Sequence, residues 1–147
     1  MASIVIKVAS LPGTPVDGFE YFLTTAATVY PAGRYIYDGS GWICTTQAEN
    51  IALSNWTATA LSLTLVPGVT YTVEATAAPT SFAVDLETIG TAMIIKTGAF
   101  AVPDPTTGSK LTDTGLDALA ETTNDVQIII EKIGSSIIYS AAEIIAI

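Results

Sequence analysis

Apolar and polar positions alternate over the first hundred residues in short runs separated by turn signals. In 3–10, Ile4, Ile6 and Val8 fall on one side and Lys7 on the other, the period of a half-buried strand. Leu11-Pro12-Gly13-Thr14-Pro15 ends that run. In 18–25, Phe19, Tyr21 and Leu23 oppose Glu20, Phe22 and Thr24, and Tyr30-Pro31-Ala32-Gly33 marks the next break. Runs 34–37 and 42–46 flank Asp38-Gly39-Ser40-Gly41 and predict a hairpin. Segment 47–55 reads as a short strand or a loop. Runs 57–66 and 69–76, rich in Thr, Val, Leu and Tyr and joined by Pro67-Gly68, are the clearest strands. Two more fall near 82–86 and 92–97. About seven or eight short strands at this spacing point to a mainly β, antiparallel sandwich rather than a βαβ sheet.

From Ala101 the composition changes. Val102 to Ser109 is a polar connector holding Pro103, Pro105 and Gly108. Beyond it Thr114 can cap a helix, and Asp113, Asp117 and Glu121 suit the positive end of its dipole. The expectation is a helix over about 114–133 and then an apolar tail. Three segments follow: a β-sandwich domain at 1–100, a linker at 101–112, and a helical oligomerisation or docking segment at 113–147. Positions 116, 119, 123, 126, 130, 133, 137, 140, 144 and 147 step by three and four, and the eight apolar ones, Leu116, Leu119, Val126, Ile130, Ile133, Ile137, Ile144 and Ile147, form the candidate interface. Isoleucine at both seam positions favours three or four strands over two, as in a trimeric fibre. Against one continuous coil stand Gly134 in mid-seam and the β-branched runs Ile128-Ile129-Ile130 and Ile137-Ile138, between which Gly134-Ser135 could turn a hairpin. Asp113, Asp117, Glu121 and Asp125 recur every fourth residue. A solvated helix face outweighs a cation site there, since like charges at that spacing cost only a few tenths of a kcal/mol (~0.3) each.

Leu65-Val66-Pro67-Gly68-Val69-Thr70-Tyr71-Thr72-Val73-Glu74-Ala75 resembles the E–F corner of fibronectin type III domains. That resemblance, confined to 57–77, implies an immunoglobulin-like sandwich in which the Tyr71 hydroxyl bonds back to upstream backbone and pins the corner. Pro67 presets φ and Gly68 supplies the left-handed turn position, so Pro67, Gly68 and Tyr71 form the expected structural corner. Modules of this kind are common in the head, tail and fibre proteins of bacteriophages, which makes a virion structural role the expectation that the resemblance brings.

Charge narrows the partners. The 147 residues carry 5 basic and 14 acidic side chains, a formal net charge of −9. Lys7, Arg34, Lys96, Lys110 and Lys132 are scattered, whereas phosphate neutralisation needs clustered cations. Neither nucleic acid nor an anionic membrane surface is therefore an expected partner. Apolar residues make up 50% and charged ones 13% of the chain, the latter about half the usual share. With a mean hydropathy of +0.52, the excess apolar surface is expected to go into subunit contacts. The start Met1-Ala2-Ser3-Ile4 lacks the pattern of a secretory signal. Synthesis in a host cytoplasm follows, with the Asn55-Trp56-Thr57 sequon unused.

Candidate chemistry is thin. The chain has no histidine, which removes the Ser-His-Asp and Cys-His systems, most zinc sites and the usual general base. Cys44, the lone cysteine, reads as a small buried thiol. Asp85 and Glu87 would share a strand face and could form an acid/base pair, though a solvated edge is the commoner meaning. No cofactor or metal site is expected, and no enzymatic activity. Trp42, Trp56, Tyr30, Tyr35, Tyr37 and Tyr71 could include a sugar-stacking platform. The sequence thus favours a bacteriophage capsid decoration, fibre or tail component, associating with itself and with other particle proteins. A glycan-binding or adhesion module is the alternative.

Overall fold

The computed structural model describes residues 5–27, 29–46, 51–52, 61–74, 81–98, 108–110 and 124–144. The first sheet has the order β1 (Val5–Val8), β2 (Glu20–Leu23), β3 (Gly33–Tyr37) and β4 (Trp42–Cys44). β1 runs parallel to β2, and the other neighbours are antiparallel. The β3–β4 hairpin closes where Asp38 N–H donates to Gly41 O at 3.2 Å. Asp38 Oδ1 also accepts from the amides of Ser40 and Gly41 at 2.9 and 3.0 Å, the side-chain mimicry that suits Asp to turns.

The second part of the chain forms two arches. β6 (Leu61–Leu65) turns a corner into β7 (Thr70–Glu74), and β8 (Phe82–Leu86) turns another into β9 (Gly90–Thr97). Each corner carries the chain from one sheet to the other, so the strands it joins are not hydrogen-bonded neighbours. The arches run the same way, and corresponding strands therefore lie side by side. β6 pairs parallel with β8, Leu61 opposite Phe82, and β7 pairs parallel with β9, Thr70 opposite Met93. β5 (Ile51–Ala52) adds to β7, also parallel. The sequence leads to the expectation of an antiparallel sandwich; along the arches the described pairing is parallel instead.

The corners interlock. Gly68 N–H donates to Thr91 O at 2.8 Å, Glu87 N–H to Leu65 O at 2.9 Å, and Cys44 N–H to Pro67 O at 3.0 Å. Gly68 has a φ of +88°, and a Cβ there would fall on the Cys44 carbonyl. Both conditions call for glycine. The first sheet is in this way joined to the arches through the Pro67-Gly68 corner.

The expected C-terminal helix is not formed where the chain is described. Residues 126–133 are strand β11 (Val126–Ile133), paired antiparallel with β9 and with β12 (Ser136–Glu143) across a turn at Gly134-Ser135. β10 (Ser109–Lys110) lies beyond β12 at the sheet edge. Val126, Ile128 and Ile130 are wholly buried while Gln127 and Ile129 are only partly so, the period of two that a strand imposes. Val126 and Ile130 satisfy a helical spacing as well, which is why the pattern misleads. The β-branched run and the glycine turn decide in favour of the hairpin. Residues 113–123, the expected start of that helix, lie outside the described residues.

One core joins these elements, with Tyr21, Leu23, Tyr35 and Trp42 from the first sheet meeting Tyr71, Val73, Phe82, Val84, Ile94, Ile130 and Tyr139. Four of its tyrosines are tied through their hydroxyls to backbone. Tyr139 Oη accepts from Val84 N–H at 3.1 Å and donates to Val84 O at 2.7 Å. Tyr71 Oη accepts from Val66 N–H at 3.1 Å and donates to Val29 O at 2.7 Å. Tyr35 donates to Pro31 O at 2.5 Å, and Tyr21 accepts from Val16 N–H at 3.0 Å. Tyr139→Phe leaves the buried amide and carbonyl of Val84 without those partners, at an expected cost of about 2–3 kcal/mol. Urea denaturation checks this: the midpoint falls while the m-value is unchanged.

Candidate functional site

Two polar constellations stand out, one in a groove beside β8 and one at the arch corners. The groove, of about 860 Å³, is lined by Thr64 of β6, Ala83 and Asp85 of β8, Ser109 of β10, and Lys132 with Gly134 to Ile137 around the hairpin turn. Lys132 crosses it: its Nζ donates to Asp85 Oδ1 at 3.0 Å and to Leu86 O at 2.8 Å. Asp85 is 57% exposed, so this ion pair is worth no more than a surface pair, about 0–1 kcal/mol. Asp85 Oδ1 also accepts from Leu86 N–H at 2.8 Å. Tyr139 on Val84, with Lys132 and Asp85 on Leu86, occupies the amides and carbonyls of these two β8 residues. Side chains here do what a further strand would do at an open edge.

At the corners, the Asp38–Gly41 turn docks on Glu87-Thr88. A Cβ at Gly41 would stand 2.7 Å from Glu87 O, so the close approach depends on glycine. Thr88 Oγ1 donates to Asp38 Oδ2 at 2.6 Å, and Tyr30 Oη donates to Glu87 Oε1 at 2.7 Å. Glu87 Oε2 is buried without a hydrogen-bond partner. Burial pushes the Glu87 carboxyl above the usual range, and Asp38 adds to this, while the Tyr30 hydroxyl and the Trp42 amide oppose it. For Asp38, burial acts upward, but Thr88 and the amides of Ser40 and Gly41 together hold the carboxyl below its ordinary value. The two acids are thus set apart in acidity, as in acid/base pairs. Their oxygens, however, are taken up by the turn and the corner: Asp38 Oδ1 by two amides, Oδ2 by Thr88, and Glu87 Oε1 by Tyr30.

The candidates named from sequence separate accordingly. Asp85 and Glu87 enter different networks, because β8 ends at Leu86 and Glu87 belongs to the corner. Val126 and Ile130 are wholly buried in the chain's own core, Ile137 is partly buried beside the groove, and Ile133 and Ile144 are exposed. Leu116, Leu119 and Ile147 lie outside the described residues, as do Trp56, Asp113, Asp117 and Glu121. Pro67 and Gly68 form the first arch corner, and Tyr71 bonds to Val66 beside it. Trp42, Tyr35 and Tyr71 are buried, with Trp42 edge-on to Tyr21 and to Tyr37 at 5.3 Å in each case. These rings build core rather than an open stacking surface. Cys44 is buried, its Sγ donating to Thr46 O at 3.1 Å. The sequence gives no signal for the roles of Tyr30, Lys132 and Tyr139, since their partners lie 46 to 57 residues away.

Lys96 adds a further buried charge. It is wholly shielded, and its Nζ donates to Gly98 O at 2.8 Å and Asn124 O at 2.7 Å, tying the end of β9 to the approach to β11. Burial lowers its pKa, with Asp125 acting in the opposite sense. No protein family, curated protein or solved structure matches this chain.

The corner carries a pH signature. Because the folded state raises the pKa of Glu87, folded protein binds more protons than unfolded protein in the window above the unfolded value. Stability from this group therefore falls as pH rises through that window. Glu87→Gln keeps an acceptor for Tyr30 and removes the titration. Its melting temperature is expected to exceed that of wild type at neutral pH, with the gap closing as the pH is lowered toward the ordinary carboxylate range; scanning calorimetry across that range checks it.

Proposed function

We propose that this chain is a non-enzymatic structural subunit of a virus particle, in the class of bacteriophage decoration, fibre or tail proteins. It assembles with itself and with other particle proteins through apolar surface on its C-terminal hairpin. One observation carries the assembly claim. Lys132 pairs with Gly90 as the last pair of the β9–β11 ladder, and Ile133 and Ile89 are the residues that follow this pair outward along the two stretches of chain. These are the two most exposed large apolar side chains among the described residues, at 54% and 60%. Apolar neighbours left together in water mark contact surface more than scattered single ones do. The virion assignment itself leans on the sequence resemblance around Pro67, Gly68 and Tyr71 and on the chain's excess apolar composition.

A second reading, a saccharide-binding module, finds its support in the groove, where Thr64, Ser109, Ser135, Ser136, Asp85 and Lys132 offer closely spaced donors and acceptors. A glycan array separates the two readings: binding abolished by Asp85→Ala favours the module.

For assembly, light scattering at micromolar concentration is expected to show wild type larger than a monomer. Ile89→Lys with Ile133→Lys is expected to give a monomer whose melting temperature is nearly unchanged, because both side chains already face water. A monomeric wild type overturns the proposal.

A further inference from the structure

The corner between β8 and β9 is also where the first sheet is fastened to the second arch. Thr88, buried, donates to Asp38 of the β3–β4 turn at 2.6 Å, and Tyr30, from the stretch before β3, donates to Glu87 at 2.7 Å. The turn lies so close that a Cβ on Gly41 would meet the Glu87 carbonyl oxygen at 2.7 Å and its Cγ at 3.0 Å. At the far end of the corner Gly90 is pressed on Pro67, whose Cβ would stand 2.7 Å from an added Cβ. Ile89 lies between these two contacts, so its presentation to a neighbour depends on the corner staying closed.

Glu87 is the weak point of this fastening. Its Oε1 takes the Tyr30 hydroxyl, but its Oε2 is buried with no hydrogen-bond partner. The titratable groups that face it are Tyr30, Asp38 from the turn and Tyr71 from β7, and β4 adds the Trp42 amide. The two ion pairs among the described residues, Arg34 with Glu20 and Lys132 with Asp85, leave it out. A carboxylate oxygen kept dry, unpaired and near a second carboxylate costs more than a neutral carboxyl in the same place. Glu87 as a whole is only partly buried, so its ionised side chain can turn to water.

We propose that Glu87 is a proton-operated latch on this joint. Neutral, it stays packed against Tyr30 and holds the corner closed; ionised, it turns outward, the Tyr30 bond is lost and the β3–β4 turn loosens from the corner. Ile89 is carried by the same corner, so the latch regulates the contact between copies and favours assembly as the pH falls. The direction agrees with the effect of burial on the Glu87 carboxyl, which lies above its ordinary value. The closed form therefore binds more protons than the open form, and closure weakens as pH rises through the window above the open-form value. The regulatory step rests on the self-assembly reading, whereas the latch stands without it.

The latch is tested by NMR on purified full-length protein carrying labelled glutamate carboxyls and backbone amides, over about pH 4–8. The carboxyl signal that is missing from Glu87→Gln is expected to titrate above those of the other glutamates. The amides of Ser40, Gly41 and Thr88 are expected to shift with it, and their hydrogen exchange, corrected for its intrinsic pH dependence, to quicken several-fold at the alkaline end. Asp38, held below its ordinary value, titrates beneath this window, so in Glu87→Gln the same amides are expected to stay still within it. A Glu87 that titrates with the other glutamates, or amides that do not follow it, overturns the latch. Light scattering over the same range reads the regulation. Wild type is expected to be larger at the acid end and Glu87→Gln to stay assembled throughout. Asp17→Asn, which removes an exposed acid of the Val16–Phe19 turn, is expected to follow wild type, which separates the latch from a general loss of negative charge. A Glu87→Gln variant that dissociates in step with wild type overturns the regulation. A wild type that is monomeric at every pH overturns the self-assembly reading and the regulation together, and the NMR titration then decides the latch alone.

Discussion

The hydroxyl of Tyr139 meets both the amide and the carbonyl of Val84 inside the core, and the closure of β8 depends on it. β8 pairs with β6 on one side only; its other side would otherwise hold bare backbone groups against apolar side chains, an arrangement that costs heavily in a low-dielectric interior. The phenol supplies donor and acceptor from β12, a strand of another sheet, while its ring packs at a tilt on Phe82, centroids 5.8 Å apart. One side chain thus both fills the core and terminates an edge. Lys132 and Asp85 continue the same closure at Leu86, nearer water.

Tyrosine serves similarly elsewhere, and the pattern explains how a chain with few charges keeps its irregular backbone satisfied. Tyr21, Tyr35 and Tyr71 reach back four or five residues to the segment leading into their own strands. Tyr71 also reaches across to Val29, so the segment before β3 is tied to the arches. At the corners the same task falls to carboxylates. There the cost is visible in Glu87, which holds Tyr30 with one oxygen while the other lies buried without a partner.

Local signals are legible in the sequence and long-range ones are not. The Asp38–Gly41 turn, flanked by Tyr37 and Trp42, and the Pro67-Gly68 corner each follow from a few adjacent residues whose backbone preferences leave little choice. The Tyr71 bond to Val66 belongs with them, being five residues long. The hairpin of β11 and β12 is only half legible, because Val126, Ile130, Ile133 and Ile137 fit a helical seam while Val126, Ile128 and Ile130 fit a strand. The β-branched run is the better guide. Nothing local announces that Leu61 lies beside Phe82 or that Lys132 reaches Leu86. The groove is assembled from four separate stretches of chain, and no spacing rule encodes it.

The stacked arches have a consequence for how such a chain can lengthen. Each arch gives one strand to each sheet, and neighbouring arches meet in parallel register with Leu65 opposite Leu86 and Tyr71 opposite Ile94. A duplicated arch inserted between them would add a rung to both sheets at once and leave every other pairing partner in place. Growth by repetition, as in solenoids, is therefore open to this architecture in a way that it is not to a closed Greek key, where each new strand must find a place among crossing connections.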